Sequence, residues 1–187
     1  MRALSNQPKS SQPISSQPKP ITYALQDSEI LELLSALPNS TMGRRYGFAF
    51  QLMATYGLKA AELRYLQVGN QESELWLRSR RHGAEQGGHT HEPCRLDALQ
   101  VVNVDGIPED WNLVRRVVLG ERLPPLGNDS EADQHLELYL NDKPVWRQIQ
   151  INAARSGQKA MVDSFSERYA SSAHNLDRAM GNADEEC

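Results

Sequence analysis

The sequence predicts a mainly α-helical domain that carries a small antiparallel β-sheet. Apolar residues recur at helical spacing from residue 21 to about residue 66. The pattern then changes to strand-like alternation in "ESELWLRSRRHG", residues 72–83, and a second, weak strand is expected near residues 94–99. Helical spacing resumes after these two stretches. The expected order is therefore helices, a small hairpin or sheet, and helices again.

Length and composition indicate one soluble domain. The chain has 187 residues, of which 39% are hydrophobic, enough for a single core. No apolar stretch is long enough to span a bilayer, and the N-terminus lacks the apolar region of a secretory signal. With only Cys94 and Cys187, a disulfide framework is not expected, and the predicted compartment is a reducing cytoplasm. The sequence indicates no cofactor and no membrane partner.

Residues 1–20 form a separate compositional segment, "MRALSNQPKSSQPISSQPKP". Ser, Gln, Pro and Lys dominate it, so it has little to bury and is expected to be a disordered tail or linker. It is either a tether to an upstream element or a solvated tail. The domain is predicted over residues 21–187.

The first three helices follow from capping residues and apolar spacing. Asp27 and Ser28 are expected to cap the first helix, which ends before Pro38. Ser40 starts the second helix, and Gly57 suits the left-handed turn that closes it. A third, short helix follows.

The later helices are predicted over residues 108–119, 131–140 and 144–155, and from residue 163 to about residue 174. The helix at 144–155 begins on "KPVW", with proline in its first turn. His174 would then bind the last carbonyl groups of the final helix, a structural role.

The segment "TYGLKAAEL", residues 55–63, lies at the junction of the second and third helices. It resembles the T-G-L-R-x-x-E-L motif in the catalytic domain of tyrosine recombinases, the phage integrase family, with Tyr56 inserted after Thr55. The hairpin after it, and the helices that follow, are also similar in order to that domain over most of residues 22–182. The resemblance implies a tyrosine-recombinase-like catalytic fold that acts in DNA recombination and integration. It implies double-stranded DNA and related integrase subunits, or further copies of this chain, as partners.

The resemblance also implies which positions carried the chemistry. In this family two arginines clamp the scissile phosphate and a tyrosine attacks it. Lys59 stands in the place of the first arginine. Asp163 and Ser166 stand at the histidine and arginine of the family's H-x-x-R motif, and Asn182 replaces a histidine in "AMGN". No tyrosine follows Asn182. The chain is therefore expected to be degenerate and unable to cleave DNA.

Arg168 lies two residues after Ser166. Aligning Arg168 with the second arginine instead would turn its side chain away from the site. Lys59 itself is either the remnant of a phosphate site or a structural residue that pairs with Glu62 or lies in solvent.

A basic cluster lies near the predicted hairpin tip and on the returning strand: Arg78, Arg80, Arg81, His82 and Arg95. The four arginines either contact DNA phosphates or belong to a solvated turn. The stretch "HTHEPC" offers His89, His91 and Cys94, but a structural zinc site needs a second ligand pair, and none lies nearby. No metal is therefore predicted.

The net charge of −4 is opposite in sign to that of most DNA-binding domains. The basic residues Arg2, Lys9 and Lys19 lie in the tail, so the rest of the chain is more acidic still. Two functions are therefore carried forward. The first is a degenerate integrase that binds DNA without cleaving it. The second is a helical protein–protein interaction module that reuses the scaffold and does not bind DNA.

Overall fold

The computed structural model describes residues 21–71, 74–79 and 94–181. It is mainly helical with a small antiparallel sheet, as the sequence predicts. The six α-helices of this part of the chain are α1 Asp27–Ser35, α2 Thr41–Tyr56, α3 Leu113–Val118, α4 Ala132–Asn141, α5 Pro144–Arg155 and α6 Ser164–Gly181. A 3₁₀ helix, Ala60–Tyr65, follows α2. The tail at residues 1–20 lies outside the described residues.

The sheet has three strands in the order β1 Leu66–Gln71, β2 Glu74–Ser79 and β3 Cys94–Arg95, each antiparallel to its neighbour. The register pairs Val68 with Leu77 and Arg78 with Arg95. Leu77 is 1% exposed, so the face of the sheet that carries it is packed on the core. Because side chains alternate along a strand, Trp76 and Arg78 lie on the opposite face.

Helix α2 is the centre of the core, because most of its residues are buried on every side. Helix α6 packs along it. The Phe50 ring of α2 stacks on the Phe165 ring of α6 with 4.9 Å between centroids. The Trp146 ring of α5 also stacks on Phe165, with 6.2 Å between centroids. This aromatic contact fixes α6, and therefore the residues at its N-terminal end, beside α2.

Five features differ from the sequence prediction. Strand β1 was not predicted. The strand expected near residues 94–99 is only Cys94–Arg95. The helix expected over residues 108–119 is only Leu113–Val118, because Asn112 has a positive φ of 49° and interrupts the helical path. The first helix begins at Asp27, so its cap is Gln26. The last helix continues to Gly181, so His174 is an exposed residue within it and does not bind its terminal carbonyl groups.

In the part of the chain that is described, no helix is both long and apolar enough to cross a membrane.

Candidate functional site

The corner between α2 and the 3₁₀ helix is built on Gly57. Its φ of 65° is left-handed and closes α2, which glycine adopts without steric cost. A Cβ atom at this position would lie 2.6 Å from Cδ1 of Tyr169 on α6. The Tyr169 hydroxyl donates to the carbonyl oxygen of Asp97 at 3.0 Å. The corner is therefore packed against α6 and against the segment that follows β3.

Lys59 follows the corner as an exposed residue. Its backbone N–H donates to Oε2 of Glu62 at 2.8 Å, so the Glu62 carboxylate caps the start of the 3₁₀ helix. Lys59 thus stands where the helix starts, and its ammonium group is carried on an exposed side chain.

The Lys59 ammonium group interacts with the carboxyl group of Asp133 on α4. Desolvation by neighbouring residues raises the pKa of Asp133, the negative charge of Asp163 raises it further, and Lys59 lowers it. Although Asp133 is an exposed residue, its carboxyl group therefore interacts with both Lys59 and Asp163. The charged group common to both interactions is a carboxylate.

A cavity of about 410 Å³ lies beside α4 and the start of α6, and the charged side chains that line it are those of Asp133, Glu137, Asp163 and Lys159. Desolvation raises the pKa of Glu137, while the backbone N–H of Val162, donating at 2.9 Å to Oε2, opposes that rise. Carboxylates repel phosphate oxygens and cannot donate a hydrogen bond to them while ionised. With three carboxylates and one ammonium group in its lining, this cavity is poorly suited to bind a phosphodiester.

The other positions of the second motif are equally unsuited. Oδ1 of Asp163 is buried and accepts no hydrogen bond from any described residue. The Ser166 hydroxyl donates to the backbone carbonyl oxygen of Asp163 at 2.9 Å, within its own helical turn. Asn182 lies outside the described residues. At the described positions, neither side chain carries a cation toward the corner.

Arg168 is the arginine nearest to that motif in the sequence, and its role is structural. It is 4% exposed. Its Nε and Nη2 donate to the two carboxylate oxygens of Asp27 at 2.7 and 3.0 Å. The remaining donors go to backbone carbonyl oxygens of Ala54, Leu99 and Gln100 at 3.2, 2.8 and 2.9 Å. A guanidinium has five N–H donors, so all of them are used, and Arg168 has none left for a phosphate.

The sheet carries the basic residues that the structure does bring together. Arg78 and Arg95 occupy directly paired positions of β2 and β3. They lie on the face opposite buried Leu77 and Leu96. Arg78 is therefore a strand residue and not part of the hairpin tip as predicted. Arg80 and Arg81 lie outside the described residues, as do His82, His89 and His91.

Arg95 also lies over the ring of Trp76, with Cζ 5.8 Å from the ring centroid. The ring in turn covers Gly69 on β1, whose missing side chain leaves room for it: a Cβ atom there would be 2.5 Å from ring atoms Cε2 and Cζ2. Trp76 is only half-buried, and it belongs to the same face as the two arginines.

A second cavity, of about 700 Å³, lies between the end of α2, β2 and the segment that contains α3. Leu75, Val118 and Leu119 contribute to its lining and are 46%, 49% and 73% exposed. Trp111 and Thr55 also line this cavity. This cavity is apolar and lies on the opposite side of the sheet from the paired arginines, because Leu75 and Arg78 project to different faces.

Comparisons with protein-family models, curated proteins and solved structures give no significant match to this chain. Among the described residues, no group of His, Cys, Asp and Glu side chains has an arrangement that could hold a metal ion. The chemistry of the site is therefore inferred from its own geometry and charges. These offer two distinct surfaces: a predominantly acidic cavity beside α4 and a basic face on the sheet.

Proposed function

We propose that this chain is an integrase-like protein of DNA recombination and integration that binds double-stranded DNA and does not cleave it. The proposal includes the tyrosine-recombinase lineage suggested by "TYGLKAAEL". The observation that supports the DNA-binding part is the direct pairing of Arg78 with Arg95 on the outward face of the sheet.

The paired arginines project from the same face of the sheet. The planar guanidinium is suited to paired hydrogen bonds with phosphate oxygens. The position of this pair beside Trp76 makes the face of the sheet the described surface best suited to a phosphodiester backbone. Because phosphates carry no base information, the expected binding is insensitive to sequence.

The absence of cleavage is inferred from the corner. A transition state for phosphoryl transfer gathers negative charge, which cationic donors must stabilise. Here Lys59 interacts with Asp133, and every donor of Arg168 is committed to the fold. Loss of one such donor alone costs about 2.7–4 kcal/mol of transition-state stabilisation.

We expect the double substitution Arg78→Ala and Arg95→Ala to weaken binding to a short DNA duplex irrespective of its sequence. Each lost phosphate contact makes the negative slope of log K against log salt concentration less steep by about 0.9. The loss of two contacts therefore makes it less steep by about 1.8. Fluorescence anisotropy at several salt concentrations measures both quantities. A monovalent-salt series with two unrelated duplexes tests whether sequence matters.

The matched control is the pair Arg122→Ala and Arg155→Ala, which removes the same charge from exposed positions away from the sheet. If the control pair lowers the salt slope as much as the sheet pair does, the effect is one of net charge and the assigned surface is wrong. If the unmodified protein shows no salt-dependent binding, the DNA-binding function itself is rejected.

We expect no covalent protein–DNA adduct when the protein is incubated with nicked suicide substrates of integrase type. The reason is chemical: a phosphotyrosine ester needs a tyrosine aimed at a phosphate between cationic donors. Lys59→Arg restores a guanidinium at the corner but leaves Asp133 and Asp163 in place, so the variant is also expected to be inactive. Denaturing gels of labelled DNA detect an adduct, and a shifted band with either protein would contradict the prediction.

A second candidate function is protein–protein interaction without DNA binding. The exposed apolar residues around the 700 Å³ cavity favour it, because contiguous apolar surface on a soluble domain often marks an interface. The acidic net charge of −4 favours it too. The anisotropy experiment separates the two functions, since the interaction module predicts no DNA binding at any salt concentration.

A further inference from the structure

We propose that Trp76 is a positioning residue that holds the Arg95 guanidinium at a DNA phosphate. This inference rests on the proposed DNA-binding function and assigns a role to a residue that does not itself need to touch DNA. The geometry behind it is the stack of three layers on the outer face of the sheet: Gly69 below, the Trp76 ring on it, and Arg95 above.

The lowest layer makes the stack possible. Gly69 and Trp76 are directly paired in the register of β1 and β2. Ring atoms of Trp76 lie where a Cβ atom of residue 69 would be, at 2.5 Å. Any other residue at position 69 would therefore push the ring away from the strand. Glycine within a strand is unfavourable by itself, and it commonly marks a place where another group approaches the backbone closely.

The indole nitrogen of Trp76 gives an independent indication. Nε1 is buried and finds no hydrogen-bond acceptor among the described residues. A buried indole N–H usually has a partner. Among the described residues, no hydrogen bond of the indole group sets the orientation of the ring. That orientation is consistent with a ring placed for stacking on Gly69 and on Arg95.

The upper layer is the functional one. Cζ of Arg95 is 5.8 Å from the ring centroid, within the range of a cation–π interaction. An arginine side chain that is already confined loses less conformational entropy when it binds a phosphate. Arg78 lies two residues from Trp76 on the same strand and is paired with Arg95. The ring thus lies within cation–π range of Arg95, whose pairing partner across the strands is Arg78.

The test is a double-mutant cycle in the full chain, with DNA affinity and salt slope as readouts. We expect Trp76→Leu to weaken binding to a short duplex by about 2- to 5-fold, the range of a partly exposed cation–π interaction. The salt slope should not change, because both arginines remain and contact the same phosphates. Trp76→Phe keeps an aromatic ring and should retain most of the affinity.

In the Arg95→Ala background, Trp76→Leu should have no further effect on binding, because the group it positions is gone. A merely structural tryptophan would weaken binding equally in both backgrounds, and that outcome would overturn the inference. Gly69→Ala is the second variant: it displaces the ring without altering any charge and should reproduce the effect of Trp76→Leu. Urea unfolding confirms that each variant is folded under the assay conditions.

The outcomes also separate the inference from the function on which it rests. If the unmodified chain does not bind DNA, the proposed function fails. If the chain binds DNA and Arg95→Ala weakens binding while Trp76→Leu and Gly69→Ala leave it unchanged, only the positioning role of Trp76 fails.

Discussion

Replacing Arg168 with alanine is expected to lower the free energy of unfolding by about 3–5 kcal/mol, the usual result of breaking a buried ion pair from one side. The substitution leaves the Asp27 carboxylate without its bidentate partner. It also leaves the carbonyl groups of Ala54, Leu99 and Gln100 without their donor. These groups belong to α1, to the end of α2 and to the segment after β3, so one side chain joins three parts of the fold. Urea unfolding followed by circular dichroism measures the loss.

Arg168→Lys distinguishes charge from geometry. An ammonium group keeps the charge but cannot present five donors in a planar fork, so we expect it to lose much of the same stability. Arg122→Ala is the control, because Arg122 is exposed and substitutions at such positions stay within about 0.5 kcal/mol. A loss below about 1 kcal/mol for Arg168→Ala would mean that other groups take over its hydrogen bonds and that Arg168 does not join these segments.

The burial of Arg168 was the main feature of the site that the sequence analysis missed. A signal was present: Arg168 follows Phe165 by three residues, so both lie on one face of α6, and Phe165 is fully buried. What the sequence could not reveal is the partner. Asp27 lies 141 residues away, and its position at the start of a helix suggested a cap. In the structure its carboxylate binds Arg168 and accepts the backbone N–H of Val102 at 2.7 Å.

The helices were predictable where capping residues and apolar spacing agree. Helix α5 begins at Pro144 and ends at Arg155, as predicted, because proline fixes the first turn. Helix α2 likewise starts after Ser40, whose hydroxyl accepts the backbone N–H of Gly43 at 3.0 Å. Both signals are local, so a single sequence contains them.

The sheet was predictable only in part. The sequence of β1, "LQVGNQ", has few apolar residues and a glycine at its centre, so its alternation is weak. Its structure depends on β2, whose Trp76 covers that glycine. Which strands pair, and hence that Arg78 faces Arg95, follows from register, and a one-residue shift would have separated them. The basic cluster was therefore visible in the sequence, but its arrangement was not.

Substituting Gly57 with alanine is expected to destabilise the corner by about 2–5 kcal/mol. The left-handed backbone at φ 65° costs a residue with a side chain about 1–2 kcal/mol. The added methyl group would also meet the Tyr169 ring at 2.6 Å, and overpacking of this kind costs about 1–3 kcal/mol. The chain offers a matched control in Gly157, which has φ 71° and no atom within 4 Å of a Cβ position.

Gly157→Ala should therefore lower the free energy of unfolding only by the cost of the left-handed backbone, about 1–2 kcal/mol. The difference in unfolding free energy between the two variants then gives the cost of the contact with Tyr169. That contact is also tested by combining Gly57→Ala with Tyr169→Ala, which removes the ring that the new methyl group would meet. The double variant should lose less stability than the two single losses added together, since contacting residues are not independent. Strict additivity would show that α6 does not press on the corner. The cost of Gly57→Ala would then come from the left-handed backbone alone.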